Sequence, residues 1–180
     1  SGIGRAVAAL YAREGADIAI LYLCEHDDAR KTRQIVEAEG RKAILIAGDL
    51  GDRDFCDQAV AEVVSNLGGI DILVNNAGID GHPARGWESR PGDWARVIDV
   101  NLKGTYFCSR QALQRMVAQG AGVILNVSSV HEVIAWTGYS AYAASKAGLS
   151  MMAKTFAQEA APHGVRVLSV APGAIKTPIN

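Results

Sequence analysis

The chain has little cysteine, no excess of either charge and no long apolar run, and each scarcity excludes a class of protein. Cys24, Cys56 and Cys108 are its three cysteines, and they lie far apart in the sequence. An odd, scattered set builds no disulfide framework and offers no paired spacing for zinc. It reads as reduced thiols in a cytoplasmic protein. His26, His82 and His163 share no ligand spacing and read as surface residues, so no metal is expected. Lysine and arginine number 18 against 19 acids, a formal charge of −1. The basic footprint of a nucleic-acid binder is therefore missing. No apolar stretch approaches the ~20 residues of a membrane-crossing helix, and no secretory leader is visible. Internal repeats, linkers and low-complexity segments are lacking too.

What is present is hydrophobic matter, 49% of the residues, enough for the core of one domain. It comes in alternating blocks. Residues 2–14 predict a helix, with Ile3, Val7, Leu10 and Tyr11 at helical spacing and Gly15 as its stop. Strands are expected at 17–23, 42–48, 71–75, 122–127 and 165–171. Between them lie a charged helix at 27–39, a helix at 53–67 with Phe55, Val60, Val63 and Val64 inward, and a long helix from Pro91 to 119 that bends near Asn101. A further helix is expected at 139–163. The strands are continuous apolar runs, the pattern of strands covered on both faces. Alternating strand and helix then gives an α/β protein with a doubly wound parallel sheet in three α/β/α layers. The ends are abrupt. Ser1-Gly2-Ile3-Gly4 leads straight into a helix with no strand ahead of it, and Asn180 stands in a loop after a strand. The expectation is a single domain, 1–180, truncated at both ends.

Gly2 and Gly4 open the first helix. Glycine lets backbone approach a phosphate closely, and a helix N-terminus presents free N–H groups and a positive dipole end. Only the second half of a G-x-G-x-x-G fingerprint is there, so a plain small-residue helix start is the competing reading. A dinucleotide fold reads the ribose about 20 residues on. There the chain has Tyr22-Leu23-Cys24-Glu25, with neither an acid at the strand tip nor an arginine for a 2′-phosphate. Glu25, Asp27 and Asp28 would repel a phosphate, which favours NAD over NADP; a solvated acidic loop is the alternative.

Five short motifs follow in order. They are Asn75-Asn76-Ala77-Gly78 after a strand, Asn101-Leu102-Lys103-Gly104 in a helix, Asn126-Val127-Ser128-Ser129 ending a strand, Tyr142-Ala-Ala-Ser-Lys146, and Pro172-Gly173. Together they resemble the short-chain dehydrogenase/reductase family from first residue to last. The resemblance implies a Rossmann-type fold binding NAD or NADP and interconverting an alcohol and a carbonyl. It implies that Ser1, Gly2, Ile3 and Gly4 cradle the pyrophosphate, that Tyr22 ends the strand beside the adenosine, and that Asp49 and Leu50 flank the adenine. Asn75, Ala77 and Gly78 would line the adenosine side. Pro172, Gly173, Ile175 and Thr177 would hold the nicotinamide end. Asn101, Ser129, Tyr142 and Lys146 would form the catalytic tetrad, with Tyr142 and Lys146 also touching the cofactor. The segments 128–132 and 172–180 look most like the glucose 1-dehydrogenase branch, in which an acid follows the Asn-Asn-Ala-Gly motif by two residues; here that is Asp80. A sugar or polyol bound by Asp80, Ser129, His131 and Tyr142 follows. Family members pair through the helices at 91–119 and 139–163, so a homo-oligomer, tetramer or dimer, is implied.

The chemistry stands on its own physics. Tyr142 and Lys146 are i and i+4, so on a helix they share a face. A phenol titrates near ~10, and lowering that to about 7 takes ~4 kcal/mol. A lysine ammonium ~4 Å away supplies roughly that at an effective dielectric near 20. With the tetrad the resemblance implies, the phenol would then exchange the alcohol proton, Ser129 would hydrogen-bond the developing oxyanion, and Asn101 would hold a water relaying protons from Lys146 to solvent. Competitors are at hand. Tyr139 lies three residues before Tyr142 but has no lysine four residues on; Ser128 adjoins Ser129, and the family's interval to the tyrosine favours Ser129. Trp136 and Tyr139 either wall the pocket or pack the loop. A 3-oxoacyl-thioester reductase and a non-catalytic NAD(P)-binding sensor remain as other functions for the same fold.

Overall fold

A computed structural model describes residues 2–175. The expected contacts of Ser1 with a pyrophosphate and of Thr177 with a nicotinamide lie outside the described residues.

Helix α1, Gly2–Arg13, opens at a glycine with φ 62. Its buried residues are Ala8 and Ala12, which pack with Val36, Ile18 and Ala43. Leu10, expected inward, is 56% exposed. The inner face carries methyl groups, so the backbone lies close to its neighbours and a leucine has no room there. Helix α2, His26–Ala38, follows strand β1, Ile18–Tyr22, and strand β2, Ala43–Ala47, pairs parallel with β1. Helix α3, Arg53–Leu67, starts where the Asp52 carboxylate accepts from the Asp54 N–H and stops at Gly68 in the left-handed region. Both are standard ways of meeting the unpaired groups at helix ends.

Strand β3, Ile72–Asn75, leads to the stretch expected as one bent helix. It is three pieces: α4, Pro91–Ile98, a π-helical segment, Asp99–Gly104, and α5, Thr105–Gln119. The expected bend is thus a widened turn centred on Asn101, the kind of irregularity often found at functional sites. Gly104 closes it. A Cβ there would stand 2.5 Å from the Leu50 carbonyl oxygen, so only glycine lets the loop after β2 pass. Strand β4, Gly122–Val127, helix α6, Ser140–Ala160, and strand β5, Val165–Val170, complete the described residues, with a 3-10 turn at Ala161–His163 between the last two.

Every strand pair among the described residues is parallel. They form two sheets, β1–β2 and β3–β4–β5, and no ladder joins β1 to β3 among the described residues. The larger sheet carries the main core, in which Met116 of α5 and Ala153 and Ala160 of α6 meet Ile124, Val165 and Val167. Burying a side chain such as Met116 or Ile124 contributes about 1.5–3 kcal/mol. Near the carboxyl ends of these strands runs a polar ladder. Asn75 Nδ2 donates to Ser109 Oγ and to Asn126 Oδ1, both at 2.9 Å, and Asn126 Nδ2 donates to the Leu168 carbonyl. The ladder ties β3, β4, β5 and α5 together where the loops of the site begin. Among the described residues no helix is long and apolar enough to cross a membrane.

Candidate active site

The π-helical segment turns Asn101 inward, where it is 1% exposed. Its Oδ1 accepts from the Ile79 N–H at 2.8 Å, and its Nδ2 donates to the Ile79 carbonyl at 2.7 Å. Nδ2 also donates to Ser145 Oγ, whose hydroxyl donates to the Tyr142 carbonyl. One amide therefore clamps the loop after β3 and reaches the first turns of α6. Its side chain is a brace and not a free group; what remains for a water is a lone pair on Oδ1. Ser145, fully buried, is the piece the sequence reading missed. Its signal is slight, a serine three residues after Tyr142, placed to bond that residue's carbonyl.

Lys146 lies one turn beyond Tyr142 on α6 and is buried. Its Nζ donates to the Val127 carbonyl at 2.9 Å, the last residue of β4. Burial pushes its ammonium down to about 8. The nitrogen stands over the Tyr142 ring, 5.7 Å from its centroid. Val127 thus anchors the ammonium on the side of α6 that carries the Tyr142 ring. A Cβ on Gly78 would stand 3.3 Å from Asn101 Oδ1 and 3.5 Å from Lys146 Nζ, so the loop after β3 closes on both.

Ser129 is buried and caps the 3-10 turn Val130–Glu132, its Oγ accepting from the His131 N–H at 3.2 Å. With a lone pair engaged this way, the hydroxyl hydrogen is left to donate elsewhere. Neighbouring Ser128 has a buried hydroxyl with no partner among the described residues. The His131 ring meets the Tyr142 ring edge-on at 6.3 Å, so the serine's turn sits beside the tyrosine. Trp136 stacks with His131 at 4.5 Å and with Tyr139 at 3.8 Å, and meets Tyr142 edge-on at 5.7 Å. Asp80 is exposed at the start of the loop after β3. That loop is tied to the aromatic loop by the Ala84 N–H donating to the Gly138 carbonyl. Pro172 joins the same rim, its carbonyl accepting from the Val130 N–H, while Gly173 and Ile175 are exposed.

At the other end, a Cβ on Gly4 would stand 2.8 Å from the Asn76 side chain, so α1 begins hard against the turn after β3. Ile3 is half-buried there, and Ala77 is exposed. The Asn75 amide, expected toward an adenosine, is taken up by the polar ladder. Asp49 accepts from the Gly51 N–H and pairs with Arg96 at 2.8 Å. Burial pushes its carboxyl up, but the Gly51 N–H and Arg96 outweigh that and hold it below the ordinary value. Leu50 presents its carbonyl to Gly104 and accepts from the Cys56 thiol. Tyr22 bonds His26 Nδ1 through its hydroxyl at 3.0 Å. Beside it, Cys24 to Asp28 and Arg30 line a cavity of about 410 Å³. The sequence reading found no arginine near this strand end. The fold supplies two, Arg5 and Arg30, each paired to an acid: Arg5 with Asp28, Arg30 with Asp27. Neither is adjacent to Tyr22 in the sequence, which is why spacing alone did not show them. Among the described residues no cluster of His, Cys, Asp and Glu could hold a metal.

The family model described as short chain dehydrogenase matches residues 1–180. The chain is 41% identical to General stress protein 39 of Bacillus subtilis (strain 168), covering 99% of this chain and 62% of that protein. It is 40% identical to 3beta-hydroxysteroid dehydrogenase 1 of Eggerthella lenta, covering 99% of this chain and 69% of the relative. Identity to Glucose 1-dehydrogenase 2 of Bacillus subtilis is 34%, over 99% of this chain and 70% of the relative. The crystal structure of acetoin dehydrogenase from Enterobacter cloacae superposes with a TM-score of 0.94 at 38% identity, covering 100% of this chain and 74% of that one. The chain thus spans between three-fifths and three-quarters of the length of these proteins.

Proposed function

The chain belongs to the short-chain dehydrogenase family, and on that premise we propose that the whole protein is an NAD(P)-dependent oxidoreductase interconverting an alcohol and a carbonyl. One observation carries the reading. Tyr142 and Lys146 share a face of α6, with the ammonium buried on the Val127 carbonyl and Ser129 capping the turn that meets the tyrosine ring.

The residues suit a dinucleotide. Gly2 and Gly4 bring a helix N-terminus close to the turn after β3. Lys146 has three N–H donors and, among the described residues, one acceptor, the Val127 carbonyl, which leaves donors for ribose hydroxyls. Ile3, Asp49, Leu50, Ala77 and Gly78 would line the dinucleotide between these ends, and Pro172, Gly173 and Ile175 would hold its nicotinamide end. A bound nicotinamide supplies the hydride acceptor or donor. The protein handles the proton. Tyr142 Oη removes it from the alcohol during oxidation and returns it during reduction. Lys146 stabilises the phenolate, Ser129 Oγ donates to the substrate oxygen, and Asn101 holds the Ile79 loop and α6 in register. Arg30 and Arg5 pair with Asp27 and Asp28, so the lean to NAD over NADP rests on Glu25. A sugar or polyol suits Asp80 and His131; an acyl-chain carbonyl would leave both unmatched. An exposed groove of about 400 Å³ between α5 and α6, rimmed by Tyr106 and Phe156, suits pairing with a second copy. Residues 1–180 act as one dinucleotide-binding domain, and the three unbridged thiols suit the cytoplasm.

The test is Tyr142→Phe in the full-length protein. Turnover over a panel of sugars, polyols and β-ketoacyl esters should fall at least about 1,000-fold with either cofactor, while cofactor affinity by calorimetry stays within about twofold. Ordinary turnover in the variant would overturn the assignment. Cofactor binding by the parent with no turnover on any alcohol would mark a sensor.

A further inference from the structure

Ser145 is fully buried and stands where the amide of Asn101 meets the turn of α6 that carries Tyr142. Resting on the dehydrogenase reading above, we infer that Ser145 is a positioning residue for the proton step: its hydroxyl ties Asn101 to that turn and so holds the amide oxygen beside Lys146.

The hydroxyl works in both senses at once. Ser145 Oγ accepts from Asn101 Nδ2 at 3.1 Å and donates to the Tyr142 carbonyl at 2.7 Å. The second bond alone is commonplace, since a helical serine often turns back to a carbonyl in the preceding turn. The first is not, for it crosses 44 residues of chain to another element. Alanine suits a helix interior better than serine, but it would leave one hydrogen of the buried amide unmet. The sense of the amide follows. Its nitrogen uses both hydrogens, on Ser145 Oγ and on the Ile79 carbonyl, and its oxygen accepts from the Ile79 N–H. A lone pair on that oxygen remains. Asn101 Oδ1 and Lys146 Nζ both come within 3.5 Å of the point that a Cβ on Gly78 would occupy, so the oxygen lies toward the ammonium. Its negative end favours the charged lysine, which in turn favours the Tyr142 phenolate. The π-helical segment also meets α6 one turn further along. There Gly148 makes room for Leu102, whose Cδ2 would stand 3.1 Å from a Cβ at that position. That contact is apolar and sets no direction; the Ser145 bond supplies it. Without the hydroxyl, Asn101 stays clipped to Ile79 but is untied from α6, and the amide oxygen is no longer held to the lysine.

The experiment follows oxidation of the best alcohol in the panel by the full-length protein with its cofactor, as a function of pH. With Tyr142 as the base, kcat climbs with pH as the phenol of the bound complex ionises. Ser145→Ala should move that limb up by about one pH unit, so that kcat falls about tenfold at neutral pH and converges with the parent above the limb. KM for the alcohol and cofactor affinity by calorimetry should stay within about twofold. Ser145→Thr keeps a hydroxyl that can reach the same carbonyl on a helix and should return the limb at least halfway. Ser150→Ala removes another buried serine hydroxyl from α6 and should leave the limb where the parent has it. A merely structural serine would change unfolding and leave the limb in place. A limb unmoved in Ser145→Ala, or moved as far by Ser150→Ala, overturns the inference while the dehydrogenase reading stands. A folded Ser145→Thr that behaves like the alanine variant does the same; if the extra methyl prevents folding, the two alanine variants decide. A parent that turns over no alcohol in the panel removes both readings.

Discussion

Lys146 carries the largest electrostatic tension of any single residue in the site. Its ammonium is buried against one carbonyl, and its affinity for a proton drops to about 8 from 10.5. The unfolded chain holds that proton to about pH 10.5, whereas the folded chain releases it from about pH 8. The burial cost is therefore complete below pH 8 and is relieved as pH climbs through the window to 10.5. Measured against Lys146→Met, the cofactor-free parent should gain about 2 kcal/mol of unfolding free energy between pH 7.5 and 10. Urea unfolding at the two pH values reads this directly. A difference that stays flat, or moves the other way, would show that the ammonium is not desolvated in the folded protein. A bound dinucleotide offering ribose hydroxyls should blunt the effect, since those hydroxyls would hydrogen-bond the charged form.

At the scale of elements, the π-helical segment Asp99–Gly104 does two jobs: it turns Asn101 inward and lets Leu50 pass beside Gly104. Asn101→Ala removes three hydrogen bonds and leaves the Ile79 N–H and carbonyl unmet. The expected loss is about 2–4 kcal/mol of stability, read by chemical unfolding without cofactor. Ser129→Ala, by contrast, removes a single hydroxyl contact to the His131 N–H and should lower turnover far more than stability. If both variants unfold alike, the brace assigned to Asn101 is wrong. The sequence showed a bend here because the apolar pattern of one long helix is interrupted by Asn101 and Gly104. It did not show a widened turn, because helix periodicity carries no record of which carbonyl each N–H selects. The element boundaries elsewhere came within a residue, except that the last helix, expected to run to 163, ends at Ala160 and gives way to a 3-10 turn at Ala161–His163 that contains Pro162. Leu10 was misplaced because periodicity reports a face but not how closely the next backbone approaches.

For the whole molecule, α5 and α6 leave apolar matter exposed away from the site: Tyr106 is 40% exposed and Met151 62%. The proposed pairing with a second copy would cover this face, so Tyr106→Glu in the full-length protein should shift sedimentation toward the monomer while the isolated fold survives. An unchanged sedimentation coefficient would sink that pairing. None of Asn101, Ser129, Tyr142 and Lys146 lines the groove, so any loss of activity should trail dissociation.

The order of strands and helices, the parallel α/β class and the pairing of Tyr142 with Lys146 were set by the sequence alone. Hydrophobic periodicity and a four-residue spacing are local properties, and they survive folding unchanged. What only the tertiary structure decided is which polar groups meet across long separations: Asn101 with Ile79 and Ser145, Asn75 with Ser109 and Asn126, Lys146 with Val127, and Arg5 with Asp28. Most of those partners lie 19 to 51 residues apart. Hydrogen bonds are satisfied by proximity in space, and proximity at that range is fixed by packing rather than by any pattern along the chain.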